Sequence, residues 1–174
     1  PLMCIPGNHD VKNSGLLFFE HIISPRRSTM IFDDKDTIII GACSAKDDLS
    51  EGEIGDEQLE WIARQFHQPL QNRILALHHH LIALPNAGRK LTTVYDAGEI
   101  IELSRLFEVD VVLMGHRHIS HAYVIEPTSF IYCGTTTSHK MRANDRPSFN
   151  RITLDEGDLE VHLINSEDLE EELL

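Results

Sequence analysis

Two hydrophobic periods alternate along the chain, and they predict strands that alternate with helices. Short apolar runs bounded by polar turns indicate buried strands, and the clearest is 109–114, where only Asp110 interrupts the apolar residues. The stretch 56–67 instead carries apolar residues at intervals of three and four, which is typical of an amphipathic helix. The predicted core-facing stripe of this helix consists of Leu59, Ile62, Ala63 and Phe66.

The order of these elements predicts an α/β fold. Strands are predicted at 2–5, 28–32, 37–43, 73–77, 109–114, 121–126, 129–133, 149–154 and 159–164, and helices at 16–23, 56–67 and 96–107. Asn13 or Ser14 is the predicted N-cap of the first helix, and Asp96 with Glu99 is a capping-box-like start of the third. After residue 114 the alternation stops and strands dominate. This order predicts two sheets packed together with helices outside.

Composition is consistent with one domain and disfavours a membrane-spanning protein and a non-specific nucleic-acid-binding protein. The 174 residues contain 41% hydrophobic residues, which is enough for a core, and no apolar run long enough to span a membrane. We expect a domain over 1–165 and an acidic tail over 166–174, frayed or disordered. The net charge of −13 disfavours non-specific binding to nucleic acid or anionic membranes. Three cysteines far apart indicate a reducing compartment, so we expect a cytoplasmic protein.

Three predicted strands are each followed by histidine, and this repetition predicts a metal site. A lone His-x-His is more often a pair of loop histidines, and a lone Gly-Asn-His-Asp is more often a turn. Ligands of open α/β sheets, however, gather at the carboxyl ends of strands, so three such ends can meet. In an extended segment, residues i and i+2 also point to the same side. The three groups are Asn8-His9-Asp10, His78-His79-His80 and His116-Arg117-His118.

The motifs, taken in order, resemble those of the calcineurin-like metallophosphoesterase superfamily. The matching segments are Gly7-Asn8-His9-Asp10, the strand-end His78-His79, and Gly115-His116-Arg117-His118, separated over more than 100 residues. Within the superfamily the chain is most similar to soluble microbial phosphohydrolases near the cyclic-nucleotide phosphodiesterases, which have a segment like Gly134-Thr135-Thr136. The resemblance implies the four-layer α/β/β/α sandwich of that superfamily.

The chain departs from the family pattern in one respect. The family's Asp-x-His and Gly-Asp-x-x-Asp motifs, which precede Gly-Asn-His, have no counterpart in this sequence. We therefore expect the C-terminal portion of a larger protein, with a sandwich incomplete at its N-terminus. A fragment of this kind should expose apolar edges and associate, so a homo-oligomer is expected.

The resemblance also assigns roles to individual residues. It implies two divalent ions in the parent protein, chosen among Mn, Fe, Zn and Ni. Asn8, His78 and His116 would bind one ion and His118 the other, with His79 as the alternative to His78. His9 is the candidate for protonating the leaving group, and Asp10 either orients His9 or only caps the turn.

The implied function is metal-dependent hydrolysis of phosphate esters at a dinuclear centre, either as a phosphodiesterase or as a phosphomonoesterase. The expected substrate is a small phosphate ester, with a nucleotide among the candidates. Two alternatives remain: a nuclease of the DNA-repair type, which the acidic charge disfavours, and a non-catalytic scaffold. The locally basic segment 139–146 is an equal candidate for substrate contact and for a solvated loop, whereas Arg117 is expected to face away from the site.

Overall fold

The protein is described by a computed structural model over residues 1–85, 87, 93–138, 146–155 and 158–174. Helices α1, α2 and α3 cover Leu17–Ile22, Asp56–Phe66 and Ala97–Leu106. Strands β1 to β6 cover Ser28–Phe32, Thr37–Gly41, Asn72–Ala76, Val111–Met114, His121–Ile125 and Thr128–Tyr132. Strands β7, β8 and β9 cover Ser148–Asp155, Asp158–Asn165 and Glu171–Leu173.

The larger sheet has the strand order β1-β2-β3-β4-β6-β5. Its four central strands are mutually parallel, while β1 and β5 join antiparallel at the two edges. The register places Leu75 beside Val112, and Val112 beside Phe130. Because β2, β3, β4 and β6 run the same way, the segments that follow them meet at one end of the sheet.

Two apolar cores hold three layers together. On one face of the large sheet, α2 and α3 bury Ile62, Phe66 and Ile100 against the strands. On the other face, Val111 and Ile131 pack against Val161 of the β7-β8-β9 sheet. The predicted α/β class is therefore confirmed, and the described residues form a helix layer followed by two sheets.

Two local predictions are wrong, and a third is right in position but not in its hydrogen bonds. Residues 2–5 form no strand; they lie across β2, with the Met3 and Ile5 side chains against Gly41, instead of joining a backbone ladder. Helix α1 begins after Leu16, and its N-cap makes no side-chain hydrogen bond. Asp96 is the N-cap residue of α3, yet its carboxylate accepts hydrogen bonds from Ile54 and Gly55 instead of from its own helix.

The acidic tail is more ordered than its charge suggests. Residues 171–173 form β9, which pairs antiparallel with β8. Glu171 pairs with Arg151 of β7 and lies 2.7 Å from His162 Nδ1 of β8, so the positive charge of Arg151 offsets part of the repulsion within the tail. The turn predicted between β7 and β8 lies mostly at 156–157, outside the described residues, although the flanking Asp155 and Asp158 do pair.

Membrane-spanning helices are absent from the described part of the chain, since none of its helices has the length and apolar character required.

All three cysteines are free: Cys43 is buried, and Cys4 and Cys133 are half-buried.

Candidate metal centre

Three remote side chains converge at the carboxyl end of the large sheet. The Asn8 Oδ1 atom lies 3.1 Å from His78 Nε2 and 3.2 Å from His116 Nδ1, and the two imidazole nitrogens are 3.2 Å apart. His78 follows β3, and His116 follows the adjacent parallel strand β4, which explains their proximity. The three atoms form a nearly equilateral triangle, which we call the donor triangle.

The donor triangle has the size required to bind one metal ion. Metal–nitrogen bonds of about 2.0–2.1 Å at tetrahedral or octahedral angles separate neighbouring ligand atoms by about 2.8–3.4 Å. All three edges of the triangle fall within that interval. An amide oxygen and two imidazoles add no negative charge and suit Mn, Fe, Zn or Ni. The residues present therefore fit one of the two ions that the resemblance implies.

Burial keeps both imidazoles of the triangle neutral. Burial, together with the neighbouring imidazoles, lowers the pKa of His78 to about 3. The same two causes lower the pKa of His116 to about 2. A metal ligand must present a free lone pair, and these neutral rings do so at pH 7 without losing a proton first.

Gly7 makes room for His78. A Cβ atom at Gly7 would lie only 2.8–3.1 Å from three atoms of the His78 ring, so a larger residue would displace the imidazole. The turn is closed by the Gly7 N–H, which donates to the Asp10 carboxylate at 2.8 Å. Asp10 thus caps the turn that presents Asn8; among the described residues, no hydrogen bond joins Asp10 to His9.

The loop after β4 is bent in a way that the sequence did not predict. His116 and His118 both have left-handed backbone conformations, with φ of +69° and +56°. The segment is therefore not extended, and the expected i, i+2 alignment is wrong. Left-handed conformations of non-glycine residues persist when surrounding contacts hold them. One such contact is the Gly115 N–H, which donates to the His78 carbonyl at 2.9 Å.

His79 is buried beside the donor triangle. Its ring centroid lies 4.5 Å from that of His116 and 4.8 Å from that of His78, and these three histidines form the candidate metal group of the described residues. The hydroxyl of Ser44 accepts from the His79 backbone N–H at 3.0 Å and pairs with His79 Nδ1 at 2.8 Å. Sequence reasoning missed Ser44, although its position just after β2, at the same end of the sheet, was the available signal.

His9 and His118 lie near the triangle without belonging to it. Both are close enough to His78 to contribute to the lowering of its pKa. His9 is exposed and His118 is half-buried. His118 is outside the group formed by His78, His79 and His116, so its assignment to a second ion stays a prediction.

Arg117 does not have the surface role that its alternating position suggested. Its guanidinium is partly buried, and Nη2 donates to the carbonyl of Ala87. The basic segment 139–146 lies outside the described residues except for Arg146, which pairs with Asp168 and Glu170.

Two bacterial proteins are similar to this chain in sequence. The 3',5'-cyclic adenosine monophosphate phosphodiesterase CpdA of Escherichia coli (strain K12) is 27% identical over 121 residues, which cover 68% of this chain and 43% of CpdA. A probable cyclic nucleotide phosphodiesterase of Psychrobacter sp. (strain PRwf-1) is 25% identical over 168 residues, which cover 90% of this chain and 47% of that protein. The chain thus spans about half the length of the curated relatives it matches.

Among solved structures, the fold is similar to that of purple acid phosphatase PPD1 from yellow lupin seeds. The TM-score is 0.55 at 15% identity, over 83% of this chain and 31% of the phosphatase. No protein-family model matches the chain. The relatives and the fold together indicate the calcineurin-like metallophosphoesterase superfamily, which confirms the resemblance.

Proposed function

We propose, on the premise of that superfamily, that the protein containing this chain is a metal-dependent phosphoesterase acting on a nucleotide phosphodiester. The donor triangle is the observation that carries the proposal, because three uncharged ligand atoms meet at a separation suited to one divalent ion. The names of the sequence relatives support a cyclic nucleotide as the substrate class.

Asn8, His78 and His116 are the proposed ligands of the first ion, and His118 is the proposed ligand of a second. Two such ions, when bound, neutralise charge on the phosphoryl oxygens and provide a nucleophile at neutral pH. The chain's own contribution is a fixed geometry. Two neutral, half-buried imidazoles follow the ends of the parallel strands β3 and β4, and the turn closed by Gly7 and Asp10 presents the Asn8 amide. A preorganised site of this kind has little reorganisation left to undergo in the reaction.

His9 is the proposed general acid for the leaving group. It is exposed next to Asn8, so its ring is accessible to a substrate bound at the donor triangle. Asp10 supports His9 indirectly, by closing the turn at Gly7.

A cytoplasmic location and a homo-oligomeric state are further parts of the proposal. Three free cysteines support a reducing compartment. Exposed apolar side chains on α1, among them Leu17, Phe18 and Ile22, support association.

The proposal is tested with the full-length protein that contains this chain, loaded with Mn²⁺. Hydrolysis of cyclic AMP and of a chromogenic phosphodiester is measured beside metal content for the native protein, His116→Ala and His9→Ala. We expect His116→Ala to lose both metal and activity. His9→Ala should keep its metal while turnover falls about 100-fold or more, the usual contribution of a positioned acid.

His21→Ala is the matched control, because His21 is exposed on α1. Bound Mn²⁺ without hydrolysis of either ester would favour the non-catalytic scaffold. Faster cleavage of DNA than of cyclic AMP would favour the nuclease. If metal loss accounts for the whole effect of His9→Ala, the acid role is wrong.

A further inference from the structure

His80 is a buried histidine that the proposed reaction does not use. It follows His78 and His79 at the end of β3 and has no accessible surface. Its ring packs edge-on against Tyr132, with centroids 4.9 Å apart, and lies 6.0 Å from the His116 ring. Histidine is a costly choice for a buried apolar position, because its ring nitrogens must be desolvated.

The His80 side chain makes one hydrogen bond, and it reaches the loop that carries His116. The Nε2–H of His80 donates to the Gly115 carbonyl at 2.5 Å. A carbonyl only accepts, so this contact requires a proton on His80 Nε2, and in the neutral ring Nδ1 then carries none. Nδ1 is then left without a hydrogen-bond partner among the described residues. The hydrogen bond to the Gly115 carbonyl is therefore accompanied by a buried His80 Nδ1 that has no partner among the described residues.

The carbonyl that His80 holds is adjacent to a strained residue. The Gly115 peptide leads directly into His116, whose φ is +69°. The backbone of His80 is itself fixed, since its carbonyl accepts from the Val94 N–H at 2.9 Å. With the Gly115 N–H bound to the His78 carbonyl, both sides of Gly115 are tied to the end of β3. Two hydrogen bonds from the end of β3, one to each side of Gly115, thus hold the left-handed conformation at His116.

We propose that His80 is the positioning residue of His116. Its Nε2–H, bonded to the Gly115 carbonyl, holds the turn in the left-handed conformation that brings His116 Nδ1 to the donor triangle. The inference rests on the proposed function where it treats His116 as a metal ligand. Its geometric part, the tautomer and the contact, stands independently of metal binding.

The native full-length protein, labelled with ¹⁵N histidine, tests the geometric part without any substitution. The imidazole ¹⁵N shifts distinguish the two neutral tautomers of each ring. We expect His80 to be protonated on Nε2, and finding the proton on Nδ1 would overturn the proposal.

Two variants test the consequence for the site. His80→Leu fills the same buried space without a donor, whereas His80→Gln retains an N–H near the position of Nε2. We expect His80→Leu to weaken Mn²⁺ binding about 10- to 100-fold, as loss of supporting contacts around ligands usually does. It should also change the visible absorption spectrum of the Co²⁺-substituted protein. His80→Gln should restore both, while the exposed His67→Leu should leave both unchanged.

A purely structural role for His80 would give a different pattern. The thermal midpoint would then fall in both His80 variants, with metal affinity and the Co²⁺ spectrum of the folded protein unaltered, and the proposal would be overturned. If His80→Leu does not fold, His80→Gln and the tautomer decide the question. Failure of the native protein to bind Mn²⁺ or Co²⁺ would instead overturn the proposed function, and the tautomer would still decide the contact.

Discussion

Four histidines that follow β3 and β4 have pKa values lowered mainly by burial. His79 and His80 have no accessible surface, and burial lowers the pKa of each to about 4. Together with His78 and His116, they are neutral in the folded state over a pH range where unfolded histidine is protonated. The metal-free protein should therefore become less stable in mild acid.

We predict the pH dependence from the direction of these shifts. The folded pKa lies below the ordinary value near 6.5, so stability is complete above about pH 6.5 and is lost as pH falls toward 4. Each proton taken up only by the unfolded chain costs about 1.4 kcal/mol per pH unit. His79→Asn should reduce the slope of unfolding free energy against pH by up to that amount, measured by urea titration of the metal-free protein.

The exposed His67→Asn is the control and should leave the slope unchanged. Equal slopes for the native protein and His79→Asn would contradict the prediction.

At the residue scale, sequence reasoning identified the members of the site better than their arrangement. The strand-end positions predicted that three segments could meet, and the resemblance selected Asn8, His78 and His116 as one group. The structure brings these three side chains together. The left-handed backbone at His116 was not predictable, because it depends on tertiary contacts with His78 and His80. Ser44 carried no motif of its own, so its contact with His79 could emerge only from the fold.

At the scale of elements, Asp96 connects the start of two helices. Its carboxylate accepts from the Ile54 N–H at 3.0 Å and from the Gly55 N–H at 2.7 Å, just before α2, while it is itself the N-cap residue of α3. Hydrogen bonds to a charged acceptor are stronger than neutral ones. The Asp96 side chain thus ties the start of α3 to the backbone just before α2.

Asp96→Ala should lower the free energy of unfolding by about 1–3 kcal/mol, because two backbone donors lose a charged acceptor. Asp96→Asn, which retains one amide oxygen, should lose less. Chemical denaturation measures both, and metal content should not change. Glu99→Ala, an exposed substitution in the first turn of α3, is the control, and a similar loss there would contradict the role given to Asp96.

Long periodic segments were predicted well, and their ends were not. The stripe on α2 predicted the burial of Ile62 and Phe66, because a period of 3.6 is a property of the local sequence. It missed the buried Gln58, whose amide bonds to the Cys43 backbone. The Asp96-Glu99 pattern predicted a local cap, but the carboxylate found stronger partners 41 and 42 residues away in sequence. Residues 2–5 have the composition of a strand, yet they lie across β2 without the ladder of hydrogen bonds that defines one.

At the scale of the whole molecule, the two sheets are held together by a small apolar core. Ile131 of β6 is 2% exposed and packs with Val111 and Val161 between the sheets. The order of the elements predicted this sheet-on-sheet packing, because the strand-rich end follows the alternating part. Association of the chain with further copies stays a prediction.

Ile131→Ala should lower the free energy of unfolding by about 2–5 kcal/mol, the usual cost of a cavity in a core. Urea denaturation monitored by circular dichroism provides the measurement. Val124→Ala on the edge strand β5, where the side chain is 65% exposed, should change stability by less than about 0.5 kcal/mol. Comparable losses in the two variants would show that the inter-sheet core contributes little.

The donor triangle joins atoms 70 and 108 positions apart along the polypeptide. A ribosome must therefore release the chain well past His116 before any cation can be captured there. Under the proposed function, these three donors can hold a cation only after His116 has been synthesised and β3 and β4 have paired.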